Sequence, residues 1–218
     1  MSYQGLYQGL YQGPHQGSGE APNPRGLALE LFDAALMVAL PDGRFEPLPE
    51  PPPPGGRVIV LGAGKASGSM ALAFEAAWQA RYPDIALEGL VVTRYDHRAS
   101  PSAGQASQIE QREAAHPVPD EAGLAATQAI MARARSAGPR DLVVFLLSGG
   151  ASALLVAPAA DLRLADKQAL AAALLKAGAN IEAMNTVRQT LSAVKGGRLA
   201  NLVAPARLVT YAISDVPG

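Results

Sequence analysis

The stretch Arg57-Val58-Ile59-Val60-Leu61-Gly62-Ala63-Gly64-Lys65-Ala66-Ser67-Gly68 decides the fold. Four apolar, mostly β-branched residues follow a proline-glycine block and end in two glycines one residue apart, with a helical pattern directly behind. That order reads as buried strand, tight turn and helix, the phosphate-handling corner of an α/β sheet. Gly62 and Gly64 let the backbone approach an anion, and the helix starting near Ala66 aims free N–H groups and its positive dipole end at the same point. Lys65 adds a mobile cation. The alternative is a tight strand-to-helix turn with a solvated lysine. A Walker A loop fails, because Ile59 stands where it needs glycine and Ala66 where it needs Ser or Thr. The dinucleotide fingerprint matches in part: Ser67 occupies its third glycine position and Gly68 falls one place late.

Working outward, Met70, Phe74, Ala77 and Trp78 line one face of a helix that ends near residues 81–83. Leu87 to Thr93 forms a second strand, and the polar cluster Thr93-Arg94-Tyr95-Asp96-His97-Arg98 lies at its C-terminal end, where ligands of an open parallel sheet gather. The same segment also reads as a solvated loop. A third strand is expected at Ile109–Ala115. His116-Pro117-Val118-Pro119-Asp120 follows, with Asp120 as N-cap of a helix over Glu121–Arg135. His116 falls on the ligand side of the sheet, as a contact residue or as a tether of the loop. Leu142–Leu147 reads as a strand buried on both faces. It runs into Ser148-Gly149-Gly150-Ala151-Ser152, a second anion cradle like the first.

Helices are expected at Ala165–Ala177 and Asn180–Val194, the latter with Ile181, Met184, Val187, Leu191 and Val194 on one face. Asn185 and Arg188 lie three apart and share a side of that helix. Lys195-Gly196-Gly197-Arg198 places two cations around a flexible backbone pair, and a helix C-terminus would by itself favour Lys195. Arg207–Ile213 is a last strand, running into Ser214-Asp215. The fold class that results is α/β: a Rossmann-like, mainly parallel sheet with helices on both faces.

Upstream, Pro47–Pro54 reads as an extended connector and Gly26–Leu40 as an amphipathic helix. Residues 1–20 repeat Tyr-Gln-Gly or His-Gln-Gly every four residues, which matches neither helix nor strand and supplies no apolar face, so a disordered tail is expected and His15 is no ligand. The 218 residues, 49% hydrophobic, suffice for one sizeable α/β domain. A net charge of −1 gives no electrostatic footprint for nucleic acid or an anionic membrane. With no cysteine there is no thiol nucleophile, disulfide or Cys-ligated zinc, which fits a cytoplasmic protein. No apolar run approaches a membrane span, and the N-terminus lacks the basic and apolar regions of a signal peptide.

Several of these motifs together resemble the class II glycerate kinase family, the MOFRL-associated type: Gly62-Ala63-Gly64-Lys65-Ala66, Glu113-Ala114-Ala115-His116-Pro117-Val118-Pro119-Asp120, Leu147-Ser148-Gly149-Gly150, Asn185-Thr186-Val187-Arg188 with Lys195-Gly196-Gly197-Arg198-Leu199-Ala200, and Ile213-Ser214-Asp215-Val216. The resemblance runs from about Gly26 to the end. It implies a Rossmann-like N-terminal domain, here 26–218, whose active site faces a second, MOFRL domain that this sequence lacks. It implies phosphorylation of D-glycerate with ATP and Mg²⁺ at the 2-hydroxyl, with little activity from this chain alone. Lys65 matches the family's active-site lysine and Asp215 the acidic residue of its Ser-Asp-Val motif. Asp96 and Arg98 stand where the family has glycines around His97, and Ala151 where it has a third glycine after Ser148.

Phosphoryl transfer needs cations on the moving phosphate, a metal, and a group that orients or deprotonates the attacking hydroxyl. In that scheme Lys65 neutralises developing charge, Asp215 serves as base or metal contact, and Arg188 holds the glycerate carboxylate. Gly62, Gly64, Ser148, Gly149, Gly150, Ser152, Asn185, Lys195 and His116 are the further candidates for substrate or phosphate contact. No metal ligand set is assigned. Apolar surface beside the last strand makes self-association, including a homodimer, an expectation. Two other readings are an NADP-dependent oxidoreductase of the hydroxypyruvate reductase type, with Arg94 placed to meet a 2′-phosphate, and a non-catalytic ligand-binding domain.

Overall fold

The computed structural model describes residues 23–101 and 106–214. The chain divides into two units, residues 1–44 and 45–218. In the first, helix α1 spans Pro24–Ala39; the Asn23 side chain caps it by accepting the Arg25 N–H, and proline opens its first turn. Its apolar side chains, among them Leu31, Phe32, Met37 and Val38, are exposed. The period-four repeat of residues 1–20 lies outside the described residues.

The second unit holds a five-stranded sheet: β1 (Val58–Ala63), β2 (Leu87–Arg94), β3 (Ile109–Ala114), β4 (Leu142–Leu147) and β5 (Arg207–Ala212). Their order is β3-β2-β1-β4-β5, and every neighbouring pair is parallel. Every residue of β1 is buried, as its continuous apolarity requires of a central strand. Alternation divides its side chains. Val58 and Val60 join Met70, Phe74 and Trp78 of helix α2 (Ser67–Arg81) on one face. Ile59, Leu61 and Ala63 join Ala126, Ile130 and Ala134 of helix α3 (Glu121–Arg135) on the other. This is the doubly covered α/β sheet expected from the sequence. Trp78 is fully buried and its indole N–H donates to the Ile85 carbonyl at 2.9 Å, so the turn into β2 is tied to the core.

The N-terminal ends of the central strands are clamped by one ion pair. Asp141 accepts from the Arg57 guanidinium and backbone N–H, both at 2.7 Å, and from the Gly138 N–H at 2.9 Å. Burial alone would raise the Asp141 pKa, but the Arg57 hydrogen bond and the two amides outweigh it and hold the carboxyl below its ordinary range.

After β4 come α4 (Ala151–Leu154), α5 (Leu164–Lys176), α6 (Ile181–Thr190) and α7 (Arg198–Val203). The helix expected to run to Val194 stops at Thr190. The chain after it pairs in antiparallel fashion with the segment at Pro158: Ala159 N–H donates to Leu191 O at 3.2 Å and Ala193 N–H to Ala157 O at 3.0 Å. These bonds compete with continuation of the helix, so Lys195 sits on a turn beyond it rather than in its last turn.

The sheet switches direction at β1, since β2 lies on one side and β4 on the other. The crevice that such a switch opens lies at the C-terminal ends of β1 and β4, where the two glycine loops meet. A groove lined by Pro52, Gly56, Arg57, Ile85 and Glu88 opens at the opposite end of the sheet.

Candidate active site at the sheet switch point

The first glycine loop is closed by the second. Gly62 belongs to β1, and a Cβ there would come within 2.7 Å of Leu146 O and 2.9 Å of Val91 Cγ1. Gly64 has φ +137°, and its Cβ would lie 2.1 Å from Ser148 Oγ. Both glycines therefore serve the close approach of neighbouring chain. The amides between them and α2 are committed internally. Gly64 N–H donates to Val92 O at 3.1 Å, Lys65 N–H to Gly149 O at 2.9 Å, Ala66 N–H to Ser148 Oγ at 3.0 Å and Ser67 N–H to Gly64 O at 3.1 Å. The expectation of an open cradle with free N–H groups at Gly62–Ala66 is thus corrected: the Ser148 loop fills the place an anion would take. Ser67 is buried and its hydroxyl donates to Val92 O at 2.8 Å.

What the first loop does present is Lys65. Its side chain is exposed and forms no ion pair among the described residues. Its carbonyl is held by the Thr93 hydroxyl at 3.1 Å. Thr93 is fully buried near the end of an apolar strand; the sequence placed it in the polar cluster there but did not reveal its hold on Lys65, for which a lone hydroxyl near the C-terminal end of a buried strand is the signal.

The second loop meets Lys65 and His116. Gly150 has φ +86°, and a Cβ on it would lie 3.1 Å from Lys65 Cγ and 3.1 Å from both Cδ2 and Nε2 of His116. Glycine at 150 thus leaves room for a cation and an imidazole to converge. Among the described residues, no acceptor meets the N–H of Gly149 or Gly150. Ala151, the departure from the family pattern, lacks a positive φ and opens α4 without strain. The His116 pKa is lowered, first by burial, then by the charges of Lys65 and Arg94. The imidazole is therefore neutral near pH 7 and available as acceptor or donor.

Around His116, Tyr95 OH donates to Asp120 Oδ2 at 2.7 Å while Asp120 Oδ1 caps α3 at Gly123 N–H, 2.9 Å away. Arg94 Nε donates to His97 Nδ1 at 3.0 Å. Asp96 has φ +63°, the left-handed conformation that glycine would adopt without cost.

Lys195 Nζ donates to Ser152 O at 3.1 Å and Ser152 Oγ at 3.0 Å, so it reaches the end of the second loop. Arg188 is half-buried in a cleft between α5 and α6, whereas Asn185 is exposed and does not line that cleft. The structure thus gathers Lys65, His116, Ser148, Gly149 and Gly150 at one place, and Ser152, Lys195 and Arg188 at the next. Asp215 lies outside the described residues.

For a phosphate ligand the loop fits: two amides unpartnered among the described residues, a lysine and a neutral histidine surround a residue that has no side chain. For Mg²⁺, no group of three His, Asp or Glu side chains that could hold a metal ion occurs among the described residues. Magnesium commonly binds through one or two carboxylates and the phosphates of its substrate, so a three-ligand cage is not required.

A family profile described as a domain of unknown function, DUF4147, matches residues 27–218. A protein of Agrobacterium vitis, provisionally named hydroxypyruvate reductase, is 51% identical over 89% of this chain and 42% of its own length. A D-glycerate 2-kinase of Thermotoga maritima is 41% identical over 88% of this chain and 44% of its own. The crystal structure of a glycerate kinase from Thermotoga maritima superposes with a TM-score of 0.73 at 40% identity, over 87% of this chain and 44% of that one. The chain spans less than half the length of these relatives. It belongs to the DUF4147 family, the glycerate kinase type its motifs resemble.

Proposed function

We propose that this member of the DUF4147 family supplies one wall of the active site of an ATP-dependent kinase that phosphorylates D-glycerate at its 2-hydroxyl. The observation that carries the reading is the convergence of Lys65, His116 and the bare Gly150 backbone at the switch point of the sheet. A phosphoryl group seated there accepts from the Gly149 and Gly150 amides, and Lys65 offsets the negative charge that spreads over its oxygens during transfer. Neutral His116 accepts or donates at the same group, and Thr93 keeps the Lys65 backbone from drifting. Asp215 is assigned the role of base toward the glycerate hydroxyl or of contact to Mg²⁺. Magnesium, carried on the nucleotide phosphates, supplies further charge neutralisation. The opposing wall is assigned to a second, MOFRL domain, consistent with relatives more than twice as long.

The name of the Agrobacterium vitis relative favours a second reading, a nicotinamide-dependent reductase. Geometry weighs against it. A dinucleotide pyrophosphate needs the first glycine turn and the helix N-terminus behind it to be open. Here Ser148 and Gly149 take the amides, and Ser67 stands in place of the third glycine.

The test is ³¹P NMR of ATP, Mg²⁺ and D-glycerate incubated with the chain joined to the C-terminal part of the Thermotoga maritima D-glycerate 2-kinase. Appearance of 2-phosphoglycerate supports the reading. Oxidation of NADPH by hydroxypyruvate, with ATP untouched, would replace it.

A further inference from the structure

The turn His116-Pro117-Val118-Pro119-Asp120 brings an imidazole to Gly150, yet nothing within the turn fixes that imidazole. Pro117 and Pro119 have no N–H, and among the described residues no backbone–backbone hydrogen bond reaches residues 115–119. The half-buried His116 ring makes no hydrogen bond there either. Its place therefore depends on side chains that hold the turn from outside. Asp120 closes the turn, accepting from the Gly123 N–H through Oδ1 at 2.9 Å and from the Tyr95 hydroxyl through Oδ2 at 2.7 Å. The amide of Ala115, the residue before His116, acts on the same carboxylate. Tyr95 follows β2 directly; its own N–H donates to Ala114 O at 3.2 Å, and the neighbouring Asp96 N–H donates to Glu113 Oε1 at 2.7 Å. From α5, Gln168 Nε2 donates to Pro119 O at 2.6 Å across 49 positions of sequence. A helix cap uses one carboxylate oxygen. The bond from Tyr95 to the other oxygen adds nothing to the cap of α3; it joins the chain after β2 to the turn that carries His116.

We propose that Tyr95, Asp120 and Gln168 are positioning residues that hold His116 against Gly150 and Lys65, so that the imidazole meets the phosphoryl group in one fixed place. This rests on the kinase reading, in which His116 contacts that group, and deepens it. The brace has a signature separate from stability. Held in place, His116 has a lowered pKa, because burial and the charges of Lys65 from the first glycine loop and Arg94 from β2 disfavour its cation. Released, the ring regains water and leaves both charges behind, and its pKa returns toward the ordinary value of about 6.5. Asp120 is not among the charges that act on His116. If it served His116 as a charge, its loss would lower the histidine pKa further, so brace and charge predict opposite signs.

NMR titration of the imidazole signals of the 218-residue chain, from about pH 5 to about pH 8, tests the brace without any turnover. His116→Gln identifies the His116 signal among the three histidines. Tyr95→Phe removes the hydroxyl alone and keeps the ring. Asp120→Asn keeps the helix cap, which asparagine supplies as well as aspartate, and gives up the second acceptor. Gln168→Leu releases Pro119 from α5. Each substitution should raise the His116 pKa by about half a pH unit or more. A merely structural role would lower the melting temperature and leave the His116 titration of the folded chain where it is. The brace is overturned if the His116 pKa stays unchanged in both Tyr95→Phe and Gln168→Leu, or if it falls further in Asp120→Asn. Kinase failure is read elsewhere, in the phosphorylation assay of the joined chain. No product there, with the His116 shift present, would keep the brace and discard the kinase; with product, Tyr95→Phe should move the acid limb of the rate profile to higher pH.

Discussion

A methyl group on residue 64 has nowhere to go. Gly64→Ala would drive a Cβ into Ser148 Oγ at a φ that L-residues avoid, so a loss of about 2–4 kcal/mol is expected in urea denaturation, from overpacking and backbone strain together. Lys65→Ala should behave in the opposite way. An exposed side chain without an ion pair contributes little stability, but phosphorylation by the chain joined to a relative's C-terminal part, the assay proposed above, should fall about 10²-fold or more. Asp96→Gly should stabilise the fold by about 0.5–1 kcal/mol in the same assay, since Asp96 holds a left-handed backbone and no hydrogen bond engages its side chain among the described residues. His116 gives a pH signature. Its folded pKa lies below the unfolded value of about 6.5, so as pH falls the unfolded chain takes up the proton first and stability is lost. The melting temperature should therefore decline between pH 7 and 5, and less steeply in His116→Gln. At this scale the sequence revealed residue types and positions, but not that Ser148 occupies the first glycine loop: that contact joins residues 82 positions apart, and no local pattern encodes it.

Elements were the most legible level. β1 and β4 announce themselves because strands buried on both faces must be apolar without interruption, and α3 because Asp120 caps it. The end of α6 was not legible, because an apolar period continues to Val194 while backbone pairing with residues 157–159 ends the helix. The strand ends away from the site carry their own prediction. Asp141 is 8% exposed and satisfies two backbone amides and a guanidinium. Asp141→Ala leaves the two amides without their acceptor and should cost about 2–4 kcal/mol, less than breaking a fully buried pair because Arg57 is half-exposed and keeps the Ser136 carbonyl as acceptor. Chemical denaturation at pH 7 reads this, and the difference from the parent should shrink as acid protonates Asp141.

For the whole molecule, the proposed function turns on the placement of one loop. The Ser148–Ser152 segment closes the first glycine turn, receives Lys65 and His116 at Gly150, and receives Lys195 at Ser152. In the function proposed above these contacts form one wall of a site, and a phosphate on one wall would remain in contact with water, where each cation stabilises it far less than in a closed cleft. The chain by itself should accordingly bind phosphates weakly and phosphorylate D-glycerate little or not at all. Side-by-side titration of the purified 218-residue chain with ATP and with NADPH, repeated in Lys65→Ala, tests the central claim most directly. The account predicts ATP binding with a Kd on the order of 1 mM, weakened by the substitution, and no tighter binding of NADPH. Micromolar binding of NADPH, unaffected by loss of Lys65 and unmatched by ATP, would contradict it.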